Sequence, residues 1–312
     1  MEEAYLLILF ALIWLAVTDL VVGVSNDAIN FLHSAVGSRA FPLKKILIVA
    51  SIGIACGVLF SSGLMEVARK GIFIPSAFSF EEIMVIFLAV MITDVILLDF
   101  FNSLGLPTST TVAIVFELLG AAVVVAVFKE LSATGSVGGV LDYINTSKSV
   151  EIIFGILLSI VLAFILGAIV QYISRLVLTF HFDQNLKYFG AIFGGGSLTA
   201  LFYFLLLKGV QTIDFFPADI RELLFKDSWL VLLVGFVVLS LLSYALIKWL
   251  KVHILKLVIV VGTFALALAF AANDLVNFIG VPFAAWQSFG LWREAYLVSG
   301  VTPSEFPMDG VE

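Results

Sequence analysis

The sequence predicts an all-α polytopic membrane protein with about eight transmembrane helices. Of its 312 residues, 62% are hydrophobic and only 12% are charged, and the mean hydropathy is +1.18. Soluble domains are closer to half apolar and about a quarter charged. The apolar runs are continuous and about twenty residues long, which is the length a helix needs to cross a hydrocarbon core of about 30 Å. A β-barrel would instead need alternating segments of about ten residues.

Each predicted span is an apolar run that ends where charged residues, glycine or proline interrupt it. The spans lie at roughly 4–24, 44–64, 82–101, 107–128, 150–172, 186–207, 229–250 and 253–272. Beyond the eighth span the apolar density falls. The predicted order is a first repeat, a polar loop, connecting and scaffold helices, the start of a second repeat, and a polar and aromatic tail, at 1–128, 129–149, 150–250, 251–282 and 283–312.

Composition and charge restrict the partners and the compartment. The net charge of −7 argues against a nucleic-acid partner. Cys56 is the single cysteine, so no disulfide can form within the chain. The apolar spans require a lipid bilayer, and we expect an integral, multi-pass protein of the plasma (inner) membrane. No cofactor is expected.

One polar motif occurs twice in this apolar chain. The pattern N-D-x-x-N-F begins at Asn26 and again at Asn273, and each copy ends a long apolar run. Polar side chains at that depth are costly unless they bind something. Internal repeats in membrane proteins often frame a transport site from opposite sides. We therefore predict that both copies line one binding site, with inverted repeats and with broken or re-entrant helices at the site.

A second polar element stands at the start of the fourth span. Pro107 suits the beginning of a helix, because its missing N–H would have no partner there. The hydroxyl side chains that follow, together with free backbone N–H groups at the positive end of the helix dipole, suit an anion. An ordinary Ser/Thr N-cap is the alternative. The hydroxyl residues of this predicted anion site are Thr108, Ser109, Thr110 and Thr111.

The charges within the spans are acidic, and no Lys or Arg lies centrally. An anion bound there would be held by hydroxyls, amides and a helix N-terminus, and the carboxylates would need cations of their own. Asp27 and Asp274, with neighbouring Asn carbonyls, offer hard oxygen ligands for Na⁺ as a metal site, or they could take protons. Asp94 is a further carboxylate within a predicted span, and it is also predicted to bind a cation. Co-transport of an anion with Na⁺ or H⁺ follows as a hypothesis.

These motifs resemble the inorganic phosphate transporter (PiT) family. The segments G-x-S-N-D-x-x-N, G-L-P-T-S-T-T and A-x-N-D-x-x-N are similar to that family's duplicated G-x-N-D-x-x-N segments and P-x-S-T-T helix starts, over about residues 20–120 and 260–282. The resemblance implies cation-coupled symport of inorganic phosphate, an inverted-repeat helical fold and a homodimer. It also implies that the phosphate and cation sites are lined by Asn26, Asp27, Asn30, Ser109, Thr110, Thr111, Asn273, Asp274 and Asn277.

The chain departs from the family pattern at three points. Val112 stands where the family usually has His, and Ala271 replaces Gly before the second motif. The second P-x-S-T-T element is absent, and we expect a C-terminally truncated form of a longer protein.

Two other functions stay open from the sequence. Sulfate or another tetrahedral oxyanion could be the substrate, or the chain could be a phosphate sensor or receptor that does not transport. An enzyme is not expected, because the G-x-G-D signature of membrane aspartyl proteases and the basic, nucleophilic cluster of a lipid phosphatase are both missing.

Overall fold

The computed structural model of the chain describes residues 2–59, 72–178, 182–212, 226 and 228–308. These residues are almost entirely helical, which confirms the predicted polytopic α-helical fold. Seven segments of the described chain are long and apolar enough to cross a membrane. The end of the second predicted span, residues 60–64, lies outside the described residues.

The described α-helices are numbered along the chain. They are α1 (Glu2–Ser38), α2 (Leu43–Val58), α3 (Phe80–Leu104), α4 (Thr110–Thr134), α5 (Thr146–Val177), α6 (Phe182–Thr212), α7 (Ser228–Trp249), α8 (Ile254–Asn273) and α9 (Leu275–Ser299). Two short 3₁₀ turns, Pro75–Ala77 and Val140–Tyr143, lie in the connections before α3 and before α5.

The boundaries of α3 and α4 follow from local sequence signals. Ser79 and Glu82 form a capping box at the start of α3, each side chain accepting the other residue's backbone N–H. The helix ends at Gly105, whose φ of 67° is the left-handed conformation that glycine adopts without strain. Ser109 caps the start of α4. The connection between the two helices is therefore short, which brings the end of α3 close to the hydroxyl-rich start of α4.

The two copies of the N-D motif have different backbones. α1 runs without interruption through the first copy to Ser38, beyond the span predicted at 4–24, and its 37 residues make it about 55 Å long. The second copy lies at a helix break, because Asp274 separates α8 from α9. The predicted interruption of a helix at a motif is therefore present in the second copy, whereas in the first copy the helix continues.

The segment predicted as a tail, 283–312, is largely helical instead. α9 extends to Ser299 with Pro282 inside it. Polar and charged residues interrupt its apolar residues. Trp292 is fully buried, with its ring stacked 4.9 Å from that of Phe80. After α9, the carbonyl of Phe306 accepts the Phe80 N–H at 2.9 Å. The sequence pattern missed this helix because Pro282, Arg293 and Glu294 interrupt its apolar residues.

The chain forms two compact units. The first consists of Met1–Ile29, Leu64–Leu157 and Asn273–Glu312, and the second of Asn30–Gly63 and Leu158–Ala272. In the first unit, α3, α4, α9 and most of α1 surround a buried apolar core, whose members include Leu12, Phe80, Ile86, Ala122 and Trp292.

In the second unit, α6 packs along α7, and α2 packs closely on α8. Gly53 permits the latter contact, because a Cβ atom there would lie 2.6 Å from the backbone oxygen of Phe264. The residues that the motifs place near α4 belong to the first unit.

Candidate functional site

The start of α4 is the centre of the candidate site. Ser109 caps the helix, since its Oγ accepts the Val112 N–H at 3.4 Å and its carbonyl accepts the Ala113 N–H at 3.0 Å. Within the described residues, this cap leaves the N–H groups of Thr110 and Thr111 without a partner. Those groups point along the positive end of the helix dipole, which is a suitable environment for an anion.

Asn26 of the first motif fixes the connection that leads into α4. Its Nδ2 donates to Asn102 Oδ1 at 2.9 Å and to the Leu106 carbonyl at 3.0 Å, and its Oδ1 accepts the Thr108 N–H at 2.8 Å. Asn102 in turn donates to the Val22 carbonyl of α1 at 2.9 Å. An amide group has two N–H donors, and Asn26 uses both of them within the protein. Its observed contacts therefore position the start of α4.

Asp27 lies next to Asn26 and reaches the first turn of α4. The Thr110 side chain lies close enough to its carboxylate to interact with it, and Asp274 acts on it as a nearby like charge. Asp27 and Thr110 are 3% and 2% exposed. Two ionised carboxylates this close in a buried site repel each other unless a cation or proton lies between or beside them.

The second motif binds the same turn of α4 from the break between α8 and α9. The Thr111 hydroxyl donates to Asp274 Oδ1 at 3.0 Å, and Asn277 Nδ2 donates to the same hydroxyl at 3.0 Å. Asn277 is buried, whereas Asp274 is half-buried and Thr111 is exposed. One threonine hydroxyl thus connects two residues of the second motif to the predicted anion site.

A glycine–phenylalanine contact holds the two motifs together. A Cβ atom on Gly23 would overlap the ring of Phe278, which is the aromatic residue that ends the second motif. The missing side chain at Gly23, three residues before Asn26, therefore allows the start of α9 to approach α1.

The basic side chains that the structure describes in the first unit have other partners. The described part of the first unit contains three basic residues, and each is paired with a glutamate. These pairs are Lys129–Glu82 at 2.8 Å, Lys148–Glu151 at 3.0 Å and Arg293–Glu2 at 2.7 Å. In the described chain, no three His, Cys, Asp or Glu side chains are arranged to hold a metal ion. A metal cation beside Asp27 and Asp274 would therefore take hydroxyl, amide or backbone oxygens as further ligands.

The structure brings together most of the residues predicted to form the site. Contacts at the start of α4 join Asn26, Asp27, Thr108, Thr110, Thr111, Asp274 and Asn277. Ser109 is the exposed N-cap, and Asn273 is half-buried at the end of α8. Asn30 belongs to the second unit, where it is exposed. Asp94 is buried on α3, where it faces Asp19 and also acts electrostatically on Asp27.

Two residues were not among the predicted site residues. Asn102 bridges Asn26 to α1, and its signal was an amide residue just before the Gly-Leu-Pro turn. Asp19 is fully buried, and its signal was a carboxylate in an apolar run about two helical turns before Asp27.

Comparisons with known proteins agree with these motifs. The sequence model of the "Phosphate transporter family" matches residues 23–302. A protein of Pyrococcus abyssi, provisionally named a phosphate permease, is 30% identical over 298 residues, which are 87% of this chain and 66% of the relative. A Mycobacterium bovis protein with the same provisional name is 29% identical over 159 residues, covering 50% of this chain. The alignments thus span 66% of the length of the first relative and 27% of the second.

A solved structure of a sodium-dependent phosphate transporter has a similar fold. The TM-score is 0.65 at 22% sequence identity, and the similarity covers 96% of this chain and 72% of that one. At this identity the similarity concerns the fold.

Proposed function

Because the chain belongs to the phosphate transporter family, we propose that it carries inorganic phosphate across the plasma membrane in symport with a cation, Na⁺ or H⁺. This membership confirms the family resemblance seen in the sequence, and it makes the chain part of a multi-pass membrane transporter family rather than an enzyme family. The observation that carries the proposal is the meeting of both N-D motifs at the N-terminus of α4.

Phosphate would bind at the first turn of α4. The backbone N–H groups of Thr110 and Thr111 supply donors, and the helix dipole favours negative charge there. The Asn277 amide and the Thr111 hydroxyl lie beside these donors. Asn26 would act by holding the connection before α4, because its own amide hydrogens are already used.

The cation would bind between the phosphate and the two motif aspartates. Asp27 and Asp274 lie beside neighbouring threonines of α4, and Asp274 acts on Asp27 as a nearby like charge. A dianion placed beside two carboxylates is unfavourable in a buried site unless cations enter with it. Binding of phosphate and cation is therefore mutually dependent, which is the basis of symport.

Phosphate is favoured over sulfate by hydrogen bonding. Phosphate at neutral pH can donate a hydrogen bond, whereas sulfate can only accept. The carboxylates of Asp27 and Asp274 are acceptors beside the proposed anion site. Competition of labelled phosphate uptake by sulfate and by arsenate measures this preference, and equal competition by sulfate would contradict it.

The experiment that tests the proposal is phosphate uptake into proteoliposomes. Na⁺ and proton gradients are imposed separately, with the membrane potential clamped. We expect accumulation of phosphate against its gradient under at least one of them. Uptake that is indifferent to both gradients would refute coupling, and phosphate binding without uptake would favour a sensor. The inverted relation of the repeats and the homodimer stay predictions, which a structure of the assembled protein in a bilayer would test.

A further inference from the structure

A second group of acids lies in the first unit, away from the first turn of α4. Its members are Asp19 of α1, Asp94 of α3 and Glu117 of α4. Asp19 and Asp94 are both 0% exposed. Three helices therefore contribute a carboxyl group each to a region from which solvent is excluded.

The contact between Asp19 and Asp94 needs a proton. Their carboxyl groups face each other within hydrogen-bonding reach. Ionised carboxylates are acceptors only, and none of the four oxygens finds a donor elsewhere in the described residues. If one of the two carboxyl groups is protonated, its O–H becomes the donor and the other carboxylate becomes the acceptor. The facing geometry is then a hydrogen bond rather than a repulsion.

Among the described residues, the charged groups that act on the pair are acidic. Glu117 acts on Asp19 and on Asp94, and Asp27 of α1 is close enough to interact with Asp94. Lys129 of α4 is twelve residues from Glu117, or about 18 Å along the helix, and it pairs with Glu82.

The remaining helix packed against this region, α9, has its charges at Arg293 and Glu294. Arg293 pairs with Glu2, about 25 Å along α1 from Asp19. The charged groups of the described helices that act on the pair are thus acidic.

A proton suits this pair better than a metal ion. No group of three His, Cys, Asp or Glu side chains in the described chain has a metal-binding arrangement, and α1, α3 and α4 keep their backbone carbonyls in helical hydrogen bonds here. A metal cation takes a shell of hard oxygen ligands, whereas a shared proton needs only the two facing oxygens.

We propose that Asp19 and Asp94 bind one shared proton, and that this pair is the site through which phosphate uptake by this chain responds to a proton gradient. Binding converts two facing carboxylates of total charge −2 into a hydrogen-bonded pair of charge −1. The pair interacts with Asp27 through Asp94, so its protonation changes the field at the cation site without contact with phosphate. The transport part of this inference rests on the proposed function, whereas proton binding does not.

Infrared difference spectroscopy of the purified protein tests proton binding directly. The wild-type protein should show the C=O stretch of a buried, protonated carboxyl group that shifts in D₂O. This band should be lost or displaced in Asp19→Asn and again in Asp94→Asn. The matched control is Asp99→Asn, which makes the same chemical change at an exposed position of α3 and should leave the band unchanged. Retention of the full band in both pair variants would overturn the proposal.

Uptake into proteoliposomes tests the transport part. With Na⁺ equal on both sides, an inside-alkaline gradient should stimulate phosphate uptake by wild type and by Asp99→Asn. In Asp19→Asn the stimulation should fall by about tenfold or more, as expected when a coupling site is removed. Asp19→Glu, which keeps the acid, should recover part of it. The coupling role would be overturned if the proton gradient stimulated phosphate uptake by Asp19→Asn as strongly as by wild type. It would also be overturned if wild type transported phosphate without any stimulation by the gradient.

The two measurements separate the possible failures. If the wild type transports no phosphate at all, the proposed function fails, and the infrared band still decides whether the pair holds a proton. If Asp19→Asn is unstable, Glu117→Gln provides a second variant. It leaves the Asp19–Asp94 hydrogen bond in place, so it should shift the band without abolishing it. Disappearance of the band in this variant would show that the proton is on Glu117, which would contradict the assignment.

Discussion

The two N-D-x-x-N-F copies have the same residues at the same spacing, yet they contact α4 in different ways. In the first copy the helix continues, and Asn26 binds the backbone of the connection that precedes α4. In the second copy the helix breaks at Asp274, and Asn277 reaches a hydroxyl within the first turn of α4. The contacts described here thus come from the first Asn of one copy and from the last Asn of the other.

The aromatic residues that end the copies also diverge. Phe278 packs on Gly23 within the first unit, whereas Phe31 lies in the second unit, where its ring centroid is 5.1 Å from that of Phe270. The same aromatic position thus packs within a different unit in each copy. Repetition of the sequence did not determine the contacts of the repeated residues.

The largest expected effect is at the aspartates, where the two copies should behave alike. Asp27→Asn and Asp274→Asn should each lower cation-coupled phosphate uptake by about two orders of magnitude, because loss of a buried charge partner is worth about 3 kcal/mol or more. Uptake in proteoliposomes is the measurement, with expression level and Asp99→Asn as controls. Normal coupled uptake in either variant would show that a single copy binds the cation.

The contact between the copies should be the next most sensitive feature. Gly23→Ala forces a methyl group into the ring of Phe278 and should destabilise the protein by about 1–3 kcal/mol. Phe278→Leu in the same chain should restore part of that loss. Thermal unfolding in detergent measures both. Gly120→Ala on α4, which has open space at its Cβ position, is the control. Equal midpoints for Gly23→Ala and Gly120→Ala would contradict the packing.

The two asparagines should separate stability from affinity. Asn26→Ala leaves the Leu106 carbonyl and the Thr108 N–H without their partner, which costs about 1–3 kcal/mol when such groups are buried. Asn277→Ala removes one hydrogen bond to Thr111 and should raise the phosphate KM by up to about tenfold with little change in stability. Unfolding midpoint and KM, measured on the same preparations, distinguish the two. The reverse pattern would exchange the roles assigned here.

The smallest effects are expected at the hydroxyls. Thr111→Val removes the hydroxyl that both Asp274 and Asn277 contact, whereas Thr111→Ser keeps it and should behave as wild type. Ser109→Ala removes an N-cap worth about 0.5–2 kcal/mol and should raise the phosphate KM a few-fold. Ser103→Ala, at an exposed position in the last turn of α3, is the control. If neither Thr111→Val nor Ser109→Ala changed the phosphate KM, the anion would have to bind away from this turn.

Much of the fold could be predicted from local sequence, as could most of the residues that meet at the candidate site. The apolar runs define spanning helices because a backbone in hydrocarbon must satisfy its own hydrogen bonds. The proline and hydroxyl residues before α4 mark a helix start, and Ser109 is the cap found there. The duplicated N-D motif indicated a site because amides and carboxylates are costly in an apolar run, and Asn26, Asp27, Asp274 and Asn277 do converge on α4.

Tertiary structure alone decided the features that depend on neighbours. The hydropathy pattern predicted a tail where residues 283–299 are helical, because nothing in the local sequence indicates that Trp292 packs against Phe80. Nothing in the repeated motif indicates that α1 continues through one copy while α8 ends at the other, since the choice depends on what packs beside each copy.

The pairing of Asp19 with Asp94 is decided in the same way, because seventy-five positions separate the two residues in the sequence and only the packing of α1 on α3 brings their carboxyl groups face to face. The sequence by itself determined that this is a membrane-spanning helical protein with polar side chains whose burial costs free energy, because hydration and hydrogen bonding act on each residue individually. Which of those groups meet, and what each contributes, was decided by long-range packing.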